Sequence, residues 1–186
     1  MKKSLIVAIA ALFTACSGGS TTAPSADSAK VVKDSGMAMR PINSPYRVIY
    51  SANFTMDDPK YAEAVLALWK AYDSGNIAST KDLIADSIEL YLSDGSSSKI
   101  SRDSAVGMVK EELSSVRSVK SAVNAVMSVK SDKGEHWGLI WGSHTYVEKK
   151  GNSVTEQLQE TWRFNDAGKA TLLYEFSQEQ PKKKGK

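Results

Sequence analysis

Residues 131–176 read SDKGEHWGLIWGSHTYVEKKGNSVTEQLQETWRFNDAGKATLLYEF, and they decide the fold. Apolar and polar residues alternate, the period of a strand with one buried face, and β-branched and aromatic types are frequent. Three turn signals divide the stretch. Ser131-Asp132-Lys133-Gly134-Glu135 and Asn165-Asp166-Ala167-Gly168-Lys169 share the pattern x-Asp-x-Gly-x. That pattern suits a three-residue hairpin loop whose Gly takes the left-handed conformation and forms a bulge. Lys150-Gly151 suits a two-residue loop, the commonest kind. With the run before Ser131 included, four strands are predicted, at about 118–130, 135–149, 153–164 and 169–178.

Loop lengths fix registers. The first loop opposes Val129 to Trp137, Met127 to Leu139 and Ala125 to Trp141. A two-residue second loop opposes Trp141 to Glu160, Leu139 to Trp162 and Trp137 to Phe164. The third opposes Phe164 to Ala170, Trp162 to Leu172, Glu160 to Tyr174 and Leu158 to Phe176. Opposed residues share a face, because side chains alternate with period two. One apolar face results: Val119, Val123, Ala125, Met127, Val129, Trp137, Leu139, Trp141, Leu158, Trp162, Phe164, Leu172, Tyr174 and Phe176. The opposite, wet face carries Lys120, Asn124, Lys130, His136, His144, Gln157, Gln159, Arg163, Thr171 and Glu175. Gly138 and Gly142 fall on that wet face too. There they serve either the close approach of another chain or the bending of the sheet.

The preceding half is helical. Tyr61, Val65, Leu68 and Tyr72 recur at helical spacing, widened by Ala64 and Trp69, over about 58–74. Asp57 or Asp58 caps this helix and Pro59 suits its first turn. A short helix over about 80–85, a strand at 87–92, the Asp94-Gly95 turn and a third helix from Ser101 to about Ser115 follow. Tyr46 to Phe54 (YRVIYSANF) reads as an extra strand or an ordered lead-in.

The order of helix, short helix, strand, helix and four-stranded meander resembles the NTF2-like, or SnoaL-like, α+β cone. The resemblance spans roughly 58–178. It is carried by Trp69-Lys-Ala-Tyr72-Asp-Ser-Gly75, Leu90-Tyr-Leu-Ser-Asp-Gly95, Trp137-Gly-Leu-Ile-Trp141-Gly142 and Glu160-Thr-Trp162-Arg-Phe164-Asn-Asp-Ala-Gly168-Lys169. It implies three N-terminal helices packed on a strongly bent antiparallel sheet, with a short strand before the third helix and an apolar pocket at the open end. The fold hosts isomerases, dehydratases, cyclases and non-enzymatic domains, so the likeness alone selects no activity. Members often dimerise sheet to sheet, which makes a homodimer through the outer face an expectation here.

Glu160 is the candidate for chemistry. The predicted register buries its carboxylate between Trp141 and Tyr174, where lost solvation raises the pKa into a range usable for acid–base work. Tyr174 is the candidate hydroxyl donor. Glu160 is otherwise a structural carboxylate bonded to Tyr174 or a helix end, or a group that orients a ligand. Trp69, Tyr72, Trp141, Glu160, Trp162 and Tyr174 are the expected pocket residues. His136 and His144, the two histidines, are placed on the wet face, eight residues apart and outside any metal motif. No metal site and no cofactor is expected, and no pocket histidine. The reading that results is a non-catalytic domain binding a small apolar ligand or a protein partner. The alternative is a SnoaL-like isomerase, dehydratase or cyclase using Glu160 and Tyr174.

Location is read from the other end. Met1-Lys2-Lys3, the apolar run Leu5 to Phe13, and Thr14-Ala15-Cys16 resemble a bacterial lipoprotein signal, cleaved before a lipidated Cys16. The usual Leu three residues before the cysteine is Phe13 here, with Leu12 one step earlier. The division expected is a signal peptide at 1–15, a flexible tether at 16–44, the domain at 45–178 and a Lys-rich tail at 179–186. Cys16 is the sole cysteine, so no disulfide holds the domain, and a core of roughly 120–130 residues must suffice. No acidic residue follows Cys16 directly, which by resemblance favours the outer membrane, facing the periplasm. The formal charge of +3 rests on Lys2, Lys3, Lys182, Lys183, Lys184 and Lys186, and the remainder is net negative. That remainder offers nucleic acid no basic face, and the Lys-rich tail suits an acidic membrane surface.

Overall fold

The computed structural model describes residues 41–179. The expected signal peptide, Cys16, most of the tether and nearly all of the Lys-rich tail lie outside the described residues. The elements in chain order are β1 (Phe54–Met56), α1 (Lys60–Asp73), a 3₁₀ segment (Ile77–Leu83), β2 (Ile84–Tyr91), β3 (Ser97–Ser101), α2 (Arg102–Ser115), β4 (Val116–Ser131), β5 (His136–Glu148), β6 (Ser153–Phe164) and β7 (Ala170–Glu179). Among the described residues one sheet runs in the order β1-β4-β5-β6-β7-β2-β3.

The sheet is mixed, which corrects the antiparallel expectation. β2 runs parallel to β7, and β3 returns antiparallel beside β2. The sequence hides β3 because Ser97-Ser98-Lys99-Ile100-Ser101 carries one apolar residue and lies largely exposed. α1 starts where Asp58 Oδ1 accepts the Lys60 amide at 3.0 Å, and α2 where Ser101 Oγ accepts the Ser104 amide at 3.1 Å.

Two one-residue differences in register decide which side chains face the helices. The β5–β6 loop is not Lys150-Gly151 alone. The Glu148 amide bonds to the Asn152 carbonyl at 2.8 Å and the Gly151 amide to the Glu148 carbonyl at 2.9 Å, giving a three-residue loop with Gly151 at φ 91°. It repeats the geometry of the x-Asp-x-Gly-x turns, where Ser131 bonds to Glu135 and Asn165 to Lys169 in the same way. The register therefore slips by one: Trp141 opposes Gln159, and Glu160 opposes Ile140. At the other edge of β6, Phe164 opposes Ala170 as expected, but Arg163 opposes Leu172. Thr171 is thus the extra residue of a bulge, and Glu160 opposes Glu175 rather than Tyr174.

Each slip turns a strand over. On β6 the expected apolar set holds, with Leu158, Glu160, Trp162 and Phe164 buried. On β5 the helix-covered residues are Gly138, Ile140, Gly142 and His144, not Trp137, Leu139 and Trp141. On β7 they include Ala170 and Leu173, while Tyr174 and Phe176 face outward. The β4–β5 pairing of Val129 with Trp137 and Ala125 with Trp141 is as expected, but these residues lie on the outer face.

The two glycines therefore sit beneath α1, not on a surface open to another chain. A Cβ on Gly138 would lie 2.9 Å from Val65 Cγ2 and 3.1 Å from the Tyr61 carbonyl oxygen. A Cβ on Gly142 would strike the Ala122 carbonyl oxygen and lie 2.9 Å from the Trp69 ring. Bare backbone lets α1 settle close to the sheet. Tyr61, Val65, Leu68 and Trp69 are almost wholly buried there, each worth about 2 kcal/mol or more of transfer free energy. Ser128 Oγ accepts the Ala62 amide at 2.8 Å and so satisfies a donor of the first turn. The lead-in 41–53 crosses the outer face, where the Tyr50 ring lies 5.0 Å from that of Trp137.

Candidate functional site

The helices and the helix-covered face of the sheet line a cavity of about 460 Å³. α1 contributes Leu68, Trp69 and Tyr72, and α2 contributes Val106, Val109 and Glu112. β2 supplies Ile88 and Leu90, β5 His144 and Tyr146, β6 Glu156, Glu160 and Trp162, and β7 Leu173 and Glu175. The size is ordinary for a small-molecule site, and so is the mixture of apolar wall with a few convergent polar groups.

Glu160 belongs to this wall and is only 5% exposed. Its Oε2 accepts two indole N–H groups, Trp69 Nε1 and Trp162 Nε1, each at 2.7 Å. Burial pushes its pKa up to about 7; the two indoles pull the other way, and the charge of Glu175 pushes it further up. Its second oxygen has no hydrogen-bond partner among the described residues. Glu175, accepting from Ser93 Oγ at 3.1 Å, is also held above the usual carboxylate range by burial, with Glu112 and Glu156 adding to the effect.

His144 belongs to the same cavity, which corrects its placement on a wet face. Its ring is 5% exposed and tilts against Trp69 and Tyr72, with centroids 4.4 and 5.0 Å away. Burial lowers its pKa to about 4, against the pull of Asp73 and the backbone at Ser143, so the imidazole is neutral near pH 7. A relay fixes its tautomer. The Ser121 hydroxyl and amide both donate to Asp73 Oδ1, at 2.6 and 2.9 Å. Having spent its one proton, Ser121 Oγ accepts from His144 Nδ1, 2.8 Å away. His144 Nε2 then carries the lone pair. Beside it Tyr72 Oη donates to Glu112 Oε1 at 2.5 Å and lies 3.2 Å from Tyr146 Oη.

Of the six residues expected in the pocket, Trp69, Tyr72, Glu160 and Trp162 line the cavity. Trp141 and Tyr174 do not. Trp141 is half-buried on the outer face, and Tyr174 Oη lies 3.0 Å from Tyr50 Oη with its ring stacked on Tyr91. Tyr174 cannot serve Glu160 from there. His136 also faces the helices, stacked on Tyr61 with Nδ1 2.6 Å from Asp57 Oδ2, but away from the cavity. His144, Tyr146, Glu112 and Glu175 are the site residues the sequence reading missed. The common turn geometry of Glu148–Asn152 is the signal that would have placed His144 and Tyr146 inside. Among the described residues no group of three or more His, Cys, Asp or Glu side chains is placed to hold a metal ion.

No protein-family model matches the chain, and no curated protein matches it. Solved structures do match. A proposed SnoaL-like polyketide cyclase from Shewanella denitrificans is similar over 65% of this chain and 92% of its own, with a TM-score of 0.55 at 10% identity. An NTF2-like protein of unknown function from Burkholderia pseudomallei aligns over 64% and 91%, with a TM-score of 0.53 at 13% identity. A Mycobacterium tuberculosis epoxide hydrolase of the LEH-like type aligns over 64% and 83%, with a TM-score of 0.51 at 14% identity. At such identities the likeness is one of fold, and the fold is NTF2-like.

Proposed function

We propose that this NTF2-like cone binds a small, largely apolar molecule that presents a hydrogen-bond donor to Glu160. The observation that carries the reading is a buried carboxylate on the wall of a largely apolar cavity, one of whose oxygens has no partner among the described residues. A buried, half-satisfied carboxylate is costly to a folded protein, and a ligand donor removes that cost. Native mass spectrometry of the full-length protein, drawn from its own host, tests this. A co-purifying small molecule is expected, and Ala105→Phe, which fills the cavity, should lose it. An empty wild-type protein contradicts the reading.

Acid–base catalysis is the second reading, with a changed partner. Two groups favour it: a carboxyl whose pKa lies near neutrality and a neutral histidine whose tautomer is held by Ser121 and Asp73. His144 takes the place expected of Tyr174. Turnover of the co-purifying molecule by wild-type protein, lost in Glu160→Gln, separates catalysis from binding alone.

We further propose that the domain is held in the bacterial envelope by lipid on Cys16, at the outer membrane. The apolar run Leu5 to Phe13 followed by Thr14-Ala15-Cys16 supports this. Metabolic labelling with a palmitate analogue should mark the wild-type chain and not Cys16→Ser. Equal labelling of both contradicts the anchor.

A further inference from the structure

The charged side chains on the cavity wall are all of one sign. Glu112, Glu156, Glu160 and Glu175 line it, and no Lys or Arg does among the described residues. Carboxylates alone do not make a site, but two further atoms point to an occupant. Glu160 Oε1 and His144 Nε2 belong to side chains that are each 5% exposed, and neither atom has a hydrogen-bond partner among the described residues. Neither is sealed away: the fully enclosed, unpartnered side-chain atoms among the described residues are Arg102 Nε and Trp137 Nε1. Both atoms therefore open on the cavity.

Both are acceptors. The relay through Ser121 leaves His144 Nε2 with its lone pair outward, and Glu160 Oε1 offers a carboxylate oxygen once the group ionises. The indole donors and Tyr72 are spent on the wall itself, while the Tyr146 and Ser177 hydroxyls also line the cavity. Trp69 and Trp162 donate to Glu160, and Tyr72 donates to Glu112. A ligand acceptor or anion would meet lone pairs and negative charge in a low-dielectric space. A cation that also donates meets the reverse. The indole and phenol faces of Trp69, Trp162 and Tyr72 add the aromatic surface that ammonium groups favour. The apolar remainder, with Ile88, Val106 and Leu173, suits a hydrocarbon body.

We propose that the cavity's ligand is an organic cation, an ammonium N–H head on an apolar body, with the head held between Glu160 Oε1 and His144 Nε2. This rests on the reading of the cavity as a ligand site and names the ligand's class. Glu112, Glu156 and Glu175 supply the surrounding field, and Asp73 acts on the head through Ser121 and His144.

Three compounds of one shape test it: cyclohexylmethylamine, cyclohexylmethanol and cyclohexanecarboxylate, titrated calorimetrically into the full-length protein at about pH 8, where Glu160 is ionised and the amine is charged. The amine is expected to bind at least about tenfold more tightly than the alcohol, and the carboxylate not measurably. Glu160→Gln should remove about tenfold or more of the amine's affinity and cost the alcohol clearly less, because only the amine loses a charge pair as well as a hydrogen bond. Glu175→Gln is the second variant, with a smaller loss in the same direction. Equal binding of amine and alcohol, or preference for the carboxylate, overturns the cation assignment and leaves the cavity reading standing. Binding of none of the three overturns both.

Discussion

Glu160→Gln should make the protein more stable at about pH 8, by about 3 kcal/mol. The carboxyl has an ordinary pKa of 4.5 in the unfolded chain and about 7 in the folded one. Between those values the native state holds a proton that the unfolded state has lost. Stability from this group is therefore greatest below pH 4.5 and falls as pH rises through 7. A glutamine keeps a carbonyl oxygen to accept both indole N–H groups and removes the charge whose burial is unfavourable. His144 works in the opposite sense. Its folded pKa of about 4 lies below the ordinary 6.5, so its contribution is present above 6.5 and is lost as pH falls through 4. The difference between variant and wild type, measured by urea unfolding, cancels the histidine and isolates Glu160. A gap that opens between pH 5 and 8 is expected; equal stabilities at pH 8 contradict a buried, ionised carboxylate. A side chain that lowers stability where a cavity opens fits a binding role better than a structural one.

Gly142→Ala should cost about 3 kcal/mol, near the top of the range for overpacking. Its Cβ would meet the Ala122 carbonyl oxygen of the neighbouring strand and two ring carbons of Trp69, at 2.9 and 3.0 Å. A carbonyl in a β ladder cannot retreat without breaking sheet pairing. Trp69 cannot swing freely either, because its indole N–H is committed to Glu160 at 2.7 Å. Strain at Gly142 therefore passes into the site, and ligand affinity should fall along with stability. Equilibrium unfolding measures the first effect. A loss under about 0.5 kcal/mol would mean that α1 does not rest on bare backbone there.

The same two positions show how far the sequence can be read. α1, α2 and the four-strand meander were legible from periodicity, and the turns at Asp132-Lys133-Gly134 and Asp166-Ala167-Gly168 from their chemistry. Lys149-Lys150-Gly151 forms the same loop without an Asp to announce it, and counting it one residue short turned over β5 and the part of β4 from Ala125 onward, while the shift between Val123 and Ala125 keeps Val119 buried. Thr171 is a bulge that no local pattern marks, and it turned β7 over as well. Parity errors of this kind leave every strand in place and exchange the two faces, so Trp141 and Tyr174 were expected inside and His144 and Gly142 outside. Glu160 survived because β6, the strand between the two slips, kept its orientation toward the helices. β3 was hidden by its polarity. The outer face misled for a further reason: it is rich in Trp137, Leu139, Tyr174 and Phe176, partly covered by Tyr50, so both faces of the meander carry apolar residues.

The carboxyl carbon of Glu160, followed by NMR as pH is raised through the neutral range, tests the site most directly. Burial between Trp69 and Trp162 predicts a titration midpoint near 7, moving downward when an ammonium ligand is added. A midpoint at the ordinary 4.5, indifferent to ligand, would contradict a buried carboxylate as the centre of the site.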